Sequence, residues 1–163
     1  MDATMVTHTG YRGILILAFC MGASAQSLSI PQSTGKRGGS GSFLLKLESA
    51  PGKAPVALQW KFIFPPNVRV DIADILAASA AESAQKSLTC SFLNDPKQRP
   101  GCACILAGGK QSIPNGTLAA VRYHIGTNAP VGPDKIRVES ALAVMQDLTK
   151  VELPNVESLI VVQ

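Results

Sequence analysis

Residues 113–145 read IPNGTLAAVRYHIGTNAPVGPDKIRVESALAVM, and the punctuation of this stretch decides the fold class. Two apolar runs, residues 118–125 and 136–145, are each introduced by turn chemistry. Pro114-Asn115-Gly116 precedes the first, and the segment from Pro130 to Pro133 precedes the second. Proline fixes φ, and glycine and asparagine accept left-handed backbone, so such clusters bound short strands. The stretch predicts two strands of a β-rich domain.

Upstream, the same grammar repeats. Phe43, Leu45 and Leu47 alternate with Leu44, Lys46 and Glu48, and Pro51-Gly52 ends the run. Val56, Leu58, Trp60, Phe62 and Phe64 form the clearest period-2 face, against Ala57, Gln59, Lys61 and Ile63. Side chains two apart on a strand share a face, so this is read as the core side of a central strand. A sugar-stacking platform is the alternative for Trp60, set against the apolar character of its same-face neighbours. Val68, Val70 and Ile72 alternate with Arg69 and Asp71 after the Pro65-Pro66-Asn67 turn.

Residues 75–86 are rich in helix formers and predict one small helix or an irregular crossing. Residues 87–92 and 102–106 predict two strands joined by the polar loop 94–101, which holds Pro96, Pro100 and Gly101. Residues 147–153 and 156–162 add two more, divided by Pro154-Asn155. In the last, Leu159, Ile160, Val161 and Val162 are all apolar, as in a strand buried on both faces. Near the start, Leu28-Ser29-Ile30 is one short strand candidate, followed by a glycine-rich loop, residues 35–41, that matches neither GxGxxG nor GxxxxGK[ST]. About nine short strands with turns every 8 to 12 residues or so, and at most one short helix, predict an all-β, antiparallel jelly-roll β-sandwich.

At 163 residues the chain is the size of one domain. With 16% charged residues and a mean hydropathy of +0.20, it is suited to a folded core. Arg12, the apolar run at residues 13–19 and the small residues ending at Ala25 match a secretory signal peptide over residues 1–25, with the domain in residues 26–163. The expected protein is secreted or at the cell surface, with no stable membrane span after cleavage. Lipid modification at Cys20 is disfavoured by the bulk of Phe19. Removal of residues 1–25 takes one charge of each sign, Asp2 and Arg12, so the net charge stays +4. The basic residues are scattered, without the aromatic-interleaved stripe of a nucleic-acid binder.

Candidates for chemistry are few. After Cys20, three cysteines remain: Cys90, Cys102 and Cys104. Cys102 and Cys104 share a strand face, and a hairpin closed by the loop 94–101 brings Cys90 opposite one of them. A disulfide is expected, with its partner open between Cys102 and Cys104 and the third thiol buried or free for an intermolecular bond. The rival reading is a Cys3His metal set with His124, which lacks the usual zinc spacing. His124 is the only histidine after Ala25, so any Ser-His-Asp or Cys-His arrangement must use it, and no G-x-S-x-G elbow presents a serine. Asp71 and Asp74 make a poor glycosidase pair. Asn115-Gly116-Thr117 matches a glycosylation sequon and is also a turn. No catalytic residue, cofactor or metal is expected.

The apolar strand Leu58-Gln59-Trp60-Lys61-Phe62-Ile63-Phe64 with Pro65-Pro66-Asn67-Val68, the strand from Asn115 to Ile125 and the closing run at residues 156–162 together resemble the cohesin domain. That domain is the nine-stranded jelly-roll module of bacterial cellulosome scaffolds, related in fold to some carbohydrate-binding modules. The resemblance spans Ser27 to Gln163 and implies a non-catalytic module whose ligand is a dockerin-type module on polysaccharide-degrading machinery. Direct polysaccharide binding and a thiol-linked surface assembly are the alternatives.

Overall fold

The computed structural model describes residues 26–93 and 100–163. The expected leader with Cys20, and residues 94–99 of the expected loop, lie outside the described residues.

Twelve strands and one short helix form two sheets. The first sheet runs β1 (Gln26–Ser29), β3 (Ser40–Ser49), β9 (Gly116–Ile125) and β5 (Val68–Arg69), with β6 (Ile75–Ala77) also paired to β9. The second runs β2 (Ser33–Gly35), β12 (Val156–Val162), β10 (Gly132–Val144), β4 (Ala57–Ile63), β8 (Gly101–Ala107) and β7 (Ser87–Phe92), with β11 (Lys150–Glu152) beside β10. This is the expected β-sandwich, and every pairing but one is antiparallel. The exception is β2 on β12, which is parallel. No helix among the described residues is long and apolar enough to cross a membrane.

The strand count exceeds nine because several strands are short fragments. The first strand breaks where Pro31 removes a ladder donor: β1 joins β3 in the first sheet, and β2 joins β12 in the second. The expected helix at 75–86 shrinks to α1 (Ser79–Ser83). Ile75 to Ala77 pair with β9 instead, pointing Ile75 inward and Leu76 out. A stretch this short cannot offset helix nucleation, so the waiting sheet edge wins. The expected strand at 68–72 gives way to a 3-10 turn, Ile72–Asp74. The expected strand at 147–153 begins only at Lys150, because Leu148 takes φ 67° in a turn whose Asp147 carboxylate accepts the Thr149 amide and hydroxyl. β12 is not fully buried on both faces: Ile160 and Val162 are in the core, while Leu159 and Val161 keep some exposure.

Between the sheets lies one apolar core. Trp60 and Phe62 are essentially inaccessible, as the period-2 reading of β4 requires, so Trp60 is no sugar platform. Phe43 of the first sheet meets Phe62 of the second edge-on at 5.6 Å between ring centres. Each such side chain contributes roughly 1.5–3 kcal/mol on burial. Tyr123 on β9 crosses the core and donates its hydroxyl to Ser33 Oγ at 3.0 Å, tying the first sheet to β2. Its ring lies over Gly41, where a Cβ would sit 2.4 Å from it. The glycine-rich stretch therefore belongs to the sandwich closure, with only the turn at residues 36–39 left as loop.

Candidate functional site

A β-sandwich exposes two outer sheet faces, and here they differ. On the first sheet, β3 turns out Ser40, Ser42, Leu44, Lys46 and Glu48, and β9 turns out Ala120, Arg122 and His124. One apolar row, Leu44–Ala120–Leu76, crosses this face. The rest is hydroxyl and charge. Ser40 Oγ and His124 Nδ1 are 2.8 Å apart, and Asp74 lies 3.8 Å from both His124 Nε2 and Arg122. The fold thus brings a serine, a histidine and an aspartate together. At 3.8 Å, however, Asp74 is past hydrogen-bond length from the ring, and it is shared with Arg122. Apart from the Ser40 hydroxyl, no described group lies within hydrogen-bond distance of the half-exposed imidazole, whereas a nucleophile relay needs a partner on each ring nitrogen.

The second sheet mixes apolar, polar and charged groups on its outer face. Register places Thr89, Ile105, Gln59 and Leu142 in one cross-strand row, and Ser91, Ala103, Lys61 and Glu139 in the next. Ile105, on the strand next to the β7 edge, is 53% exposed. Gln59 and Thr89 flank it and are exposed, while Ala103 and Leu142 are half-buried. The ion pair Arg137–Glu139, at 2.9 Å, lies on the inner strand β10, with Glu139 opposite Lys61 of β4.

A β-bulge fixes which residues of β10 reach this face. Glu139 pairs with Lys61 but Leu142 with Gln59, so β10 spends one extra residue there. Ser140 takes φ 52° and its amide donates to Asn155 Oδ1 at 3.3 Å. Without the extra residue, Ala141 and Ala143 would turn outward and Leu142 inward. Beside the bulge lies a shallow cavity of about 430 Å³ between Gln59, Glu139, Leu142, Glu152 and Asn155.

The cysteines sit under the same sheet. Cys90 on β7 is directly opposite Cys104 on β8 and bonded to it, so the expected disulfide uses Cys104. Cys102 is free and fully buried, its Sγ 3.9 Å from that of Cys104. Burial pushes its thiol up to about 12, against a smaller opposing effect from a Phe62 backbone hydrogen bond. A thiol so placed is not available for an intermolecular bond. His124 is on the outside of the other sheet, so the sulfurs and the imidazole occupy different layers. Among the described residues, no three His, Cys, Asp or Glu side chains form a group able to hold a metal. The Asn115 amide is engaged at both ends, accepting the Ser49 N–H and donating to the Ser49 carbonyl.

No protein-family model matches the chain, and no curated protein matches it in sequence. Solved structures do match. A chain of a type I cohesin–dockerin complex from Clostridium thermocellum is 15% identical with a TM-score of 0.66, over 84% of this chain and 99% of that one. The cohesin module of a family 33 glycoside hydrolase from Clostridium perfringens is 12% identical with a TM-score of 0.64, over 86% and 100%. A non-cellulosomal cohesin from the archaeon Archaeoglobus fulgidus is 12% identical with a TM-score of 0.59, over 84% and 91%. The chain has the jelly-roll sandwich fold of the cohesins.

Proposed function

We propose that the chain is a non-catalytic binding module that docks a dockerin-type protein module on the outer face of its second sheet. The observation that carries the reading is the fold shared with cohesins crystallised in complexes with dockerins. The choice of face rests on the exposed Ile105, with Ala103 beside it on the same strand and Leu142 in its cross-strand row, and on the polar and charged groups Gln59, Lys61 and Glu139 alongside them, the mixture of a protein interface. In this reading residues 1–25 are a cleaved leader, and the module works outside the cell or at its surface.

Direct glycan binding has less support, because stacking needs a platform of exposed rings and Phe92 is the one exposed Phe, Tyr or Trp ring among the described residues, Trp60 and Tyr123 being buried. A thiol-linked assembly has less support because Cys102 is buried.

The test is capture from the source's culture supernatant on the immobilised protein, with elution by a calcium chelator and mass spectrometry of the eluate. Expected are enzymes sharing a duplicated, Asp/Asn-rich calcium-loop segment. Ile105→Lys is expected to reduce their recovery about tenfold or more, as loss of a central interface anchor does. Equal recovery on the variant would overturn the chosen face, and recovery of no such enzyme would overturn the dockerin reading.

A further inference from the structure

β7 is one edge of the second sheet, with β2 the other, and the hydrogen-bond phase of β7 can be fixed. The Leu93 amide donates to the Gly101 carbonyl at 3.0 Å, making those two residues a bonded pair. Cys90 and Cys104 have Cα atoms 4.1 Å apart, the close spacing of a non-bonded antiparallel pair. Bonded and non-bonded pairs alternate, so Ser87, Thr89 and Ser91 spend their backbone groups on β8. Those of Leu88, Cys90 and Phe92 point to the open side. Among the described residues, none of these three has a backbone hydrogen-bond partner beyond the sheet.

Natural edge strands are usually blunted by charge, proline or a bulge. β7 has none of these. Residues 87–93 carry no ionisable side chain apart from the disulfide-bonded Cys90, and no proline, and the register with β8 is unbroken. The Cys90–Cys104 disulfide holds the strand in place, so the edge is presented as a rigid template.

We propose that this edge pairs with the same strand of a second copy of the chain, antiparallel, about a two-fold axis at Cys90. In that register Cys90 faces Cys90 of the second copy, and Leu88 faces Phe92, giving about six new backbone hydrogen bonds. The side chains suit the symmetry. Phe92, 52% exposed in the single chain, comes beside the half-buried Leu88 of the second copy on the inner side. On the outer side Thr89 comes beside Ser91. No like charges meet across the axis, although the chain carries +4 overall. A single strand pair covers less than the roughly 1,000 Å² of an ordinary stable interface, so the dimer is weak and concentration-dependent.

The experiment is sedimentation velocity on the full chain from about 1 to about 500 µM, with amide hydrogen exchange at both ends of that range. The expected result is a rise toward the dimer mass, with exchange at Leu88, Cys90 and Phe92 slowing as concentration rises while Thr89 and Ser91 stay unchanged. The double variant Thr89→Lys, Ser91→Lys is expected to stay monomeric, its thermal midpoint within a few degrees of the parent. A monomer throughout the range overturns the proposal, and so does a dimer indifferent to the lysines. Slow exchange of the three amides at the lowest concentration would show the edge covered within one chain and also overturns it. Slowing produced only by an added protein partner would assign the edge to that partner and equally overturn self-pairing.

Discussion

The two sheets share a core but not a surface, and the contrast separates what folds this chain from what it can do. Inward positions are alike on both: Phe43, Leu45 and Leu47 of the first sheet face Leu58, Trp60 and Phe62 of the second, all nearly inaccessible. Outward positions diverge, with serines, Lys46, Arg122, His124 and the row Leu44–Ala120–Leu76 on one face and Ile105, Ala103, Leu142, Gln59, Lys61 and Glu139 on the other. Burial constrains the first set to be apolar and close-packed. No comparable constraint acts on the second set, so a difference there can carry function.

The largest expected effect erases the contrast, because it strikes what both faces rest on. Phe62 packs against Phe43 of the first sheet and against Trp60 and Phe64, two residues to either side of it in sequence. Phe62→Ala is expected to cost about 3–5 kcal/mol by denaturant unfolding. Amide exchange is expected to accelerate in both sheets together. Protection lost from only one sheet would mean that the sandwich lacks a common core.

Opening the Cys90–Cys104 bond acts on one side only. Its sequence separation of 14 corresponds, in the chain-entropy model, to about 3 kcal/mol. Reduction is expected to lower stability by that order and to speed exchange in β7 and β8 while the first sheet keeps its protection. The free neighbour gives a pH signature. Cys102 has its thiol pushed from 9.0 to about 12, so above pH 9 the unfolded chain releases a proton that the folded chain retains. Stability therefore falls with rising pH between about 9 and about 12, by up to roughly 1.4 kcal/mol per unit. Lys86, its pKa lowered by burial, pushes the other way, so the readout is the difference between the parent and Cys102→Ala. Parallel stability curves for the two proteins would show that the thiol ionises freely when folded.

How much of this was legible in sequence follows from which forces act locally. β3 and β4 declare themselves by alternation, since one face of each meets the core, and β12 by its unbroken apolar run, though its second face keeps some exposure. β6 does not, because Ile75-Leu76-Ala77 sits among alanines and serines that suit a helix until β9 supplies a partner. The split of the first strand had a signal in Pro31, but its crossing between sheets depends on where β12 lies. Cys102 and Cys104 have the same strand face and the same composition around them. The choice between them is made by hairpin register, which the loop sets and the cysteine spacing does not. The candidate face was less legible still. Ile105, Gln59 and Leu142 come from three separated segments, and only the bulge at Ser140 puts Leu142 in their row. Ser40, His124 and Asp74 likewise meet through cross-strand register alone.

The smallest expected effect sharpens the contrast most, because it compares one residue type on the two faces. Arg122 is 67% exposed and 3.8 Å from Asp74, whereas Arg137 is 34% exposed and 2.9 Å from Glu139. Exposed pairs contribute little once side-chain entropy and salt screening are counted, so Arg122→Ala is expected to change stability by less than about 0.5 kcal/mol. Arg137 is the more deeply buried of the two and its pair is closer, so Arg137→Ala is expected to cost nearer 1 kcal/mol. Under the proposed docking the two diverge further. Loss of Arg137 weakens partner binding with a marked dependence on ionic strength, while loss of Arg122 leaves binding unchanged. If Arg122→Ala weakened binding and Arg137→Ala did not, the assignment of faces would be reversed. The charged face would then be the docking surface, and Ile105 only an exposed apolar residue of the kind most protein surfaces carry.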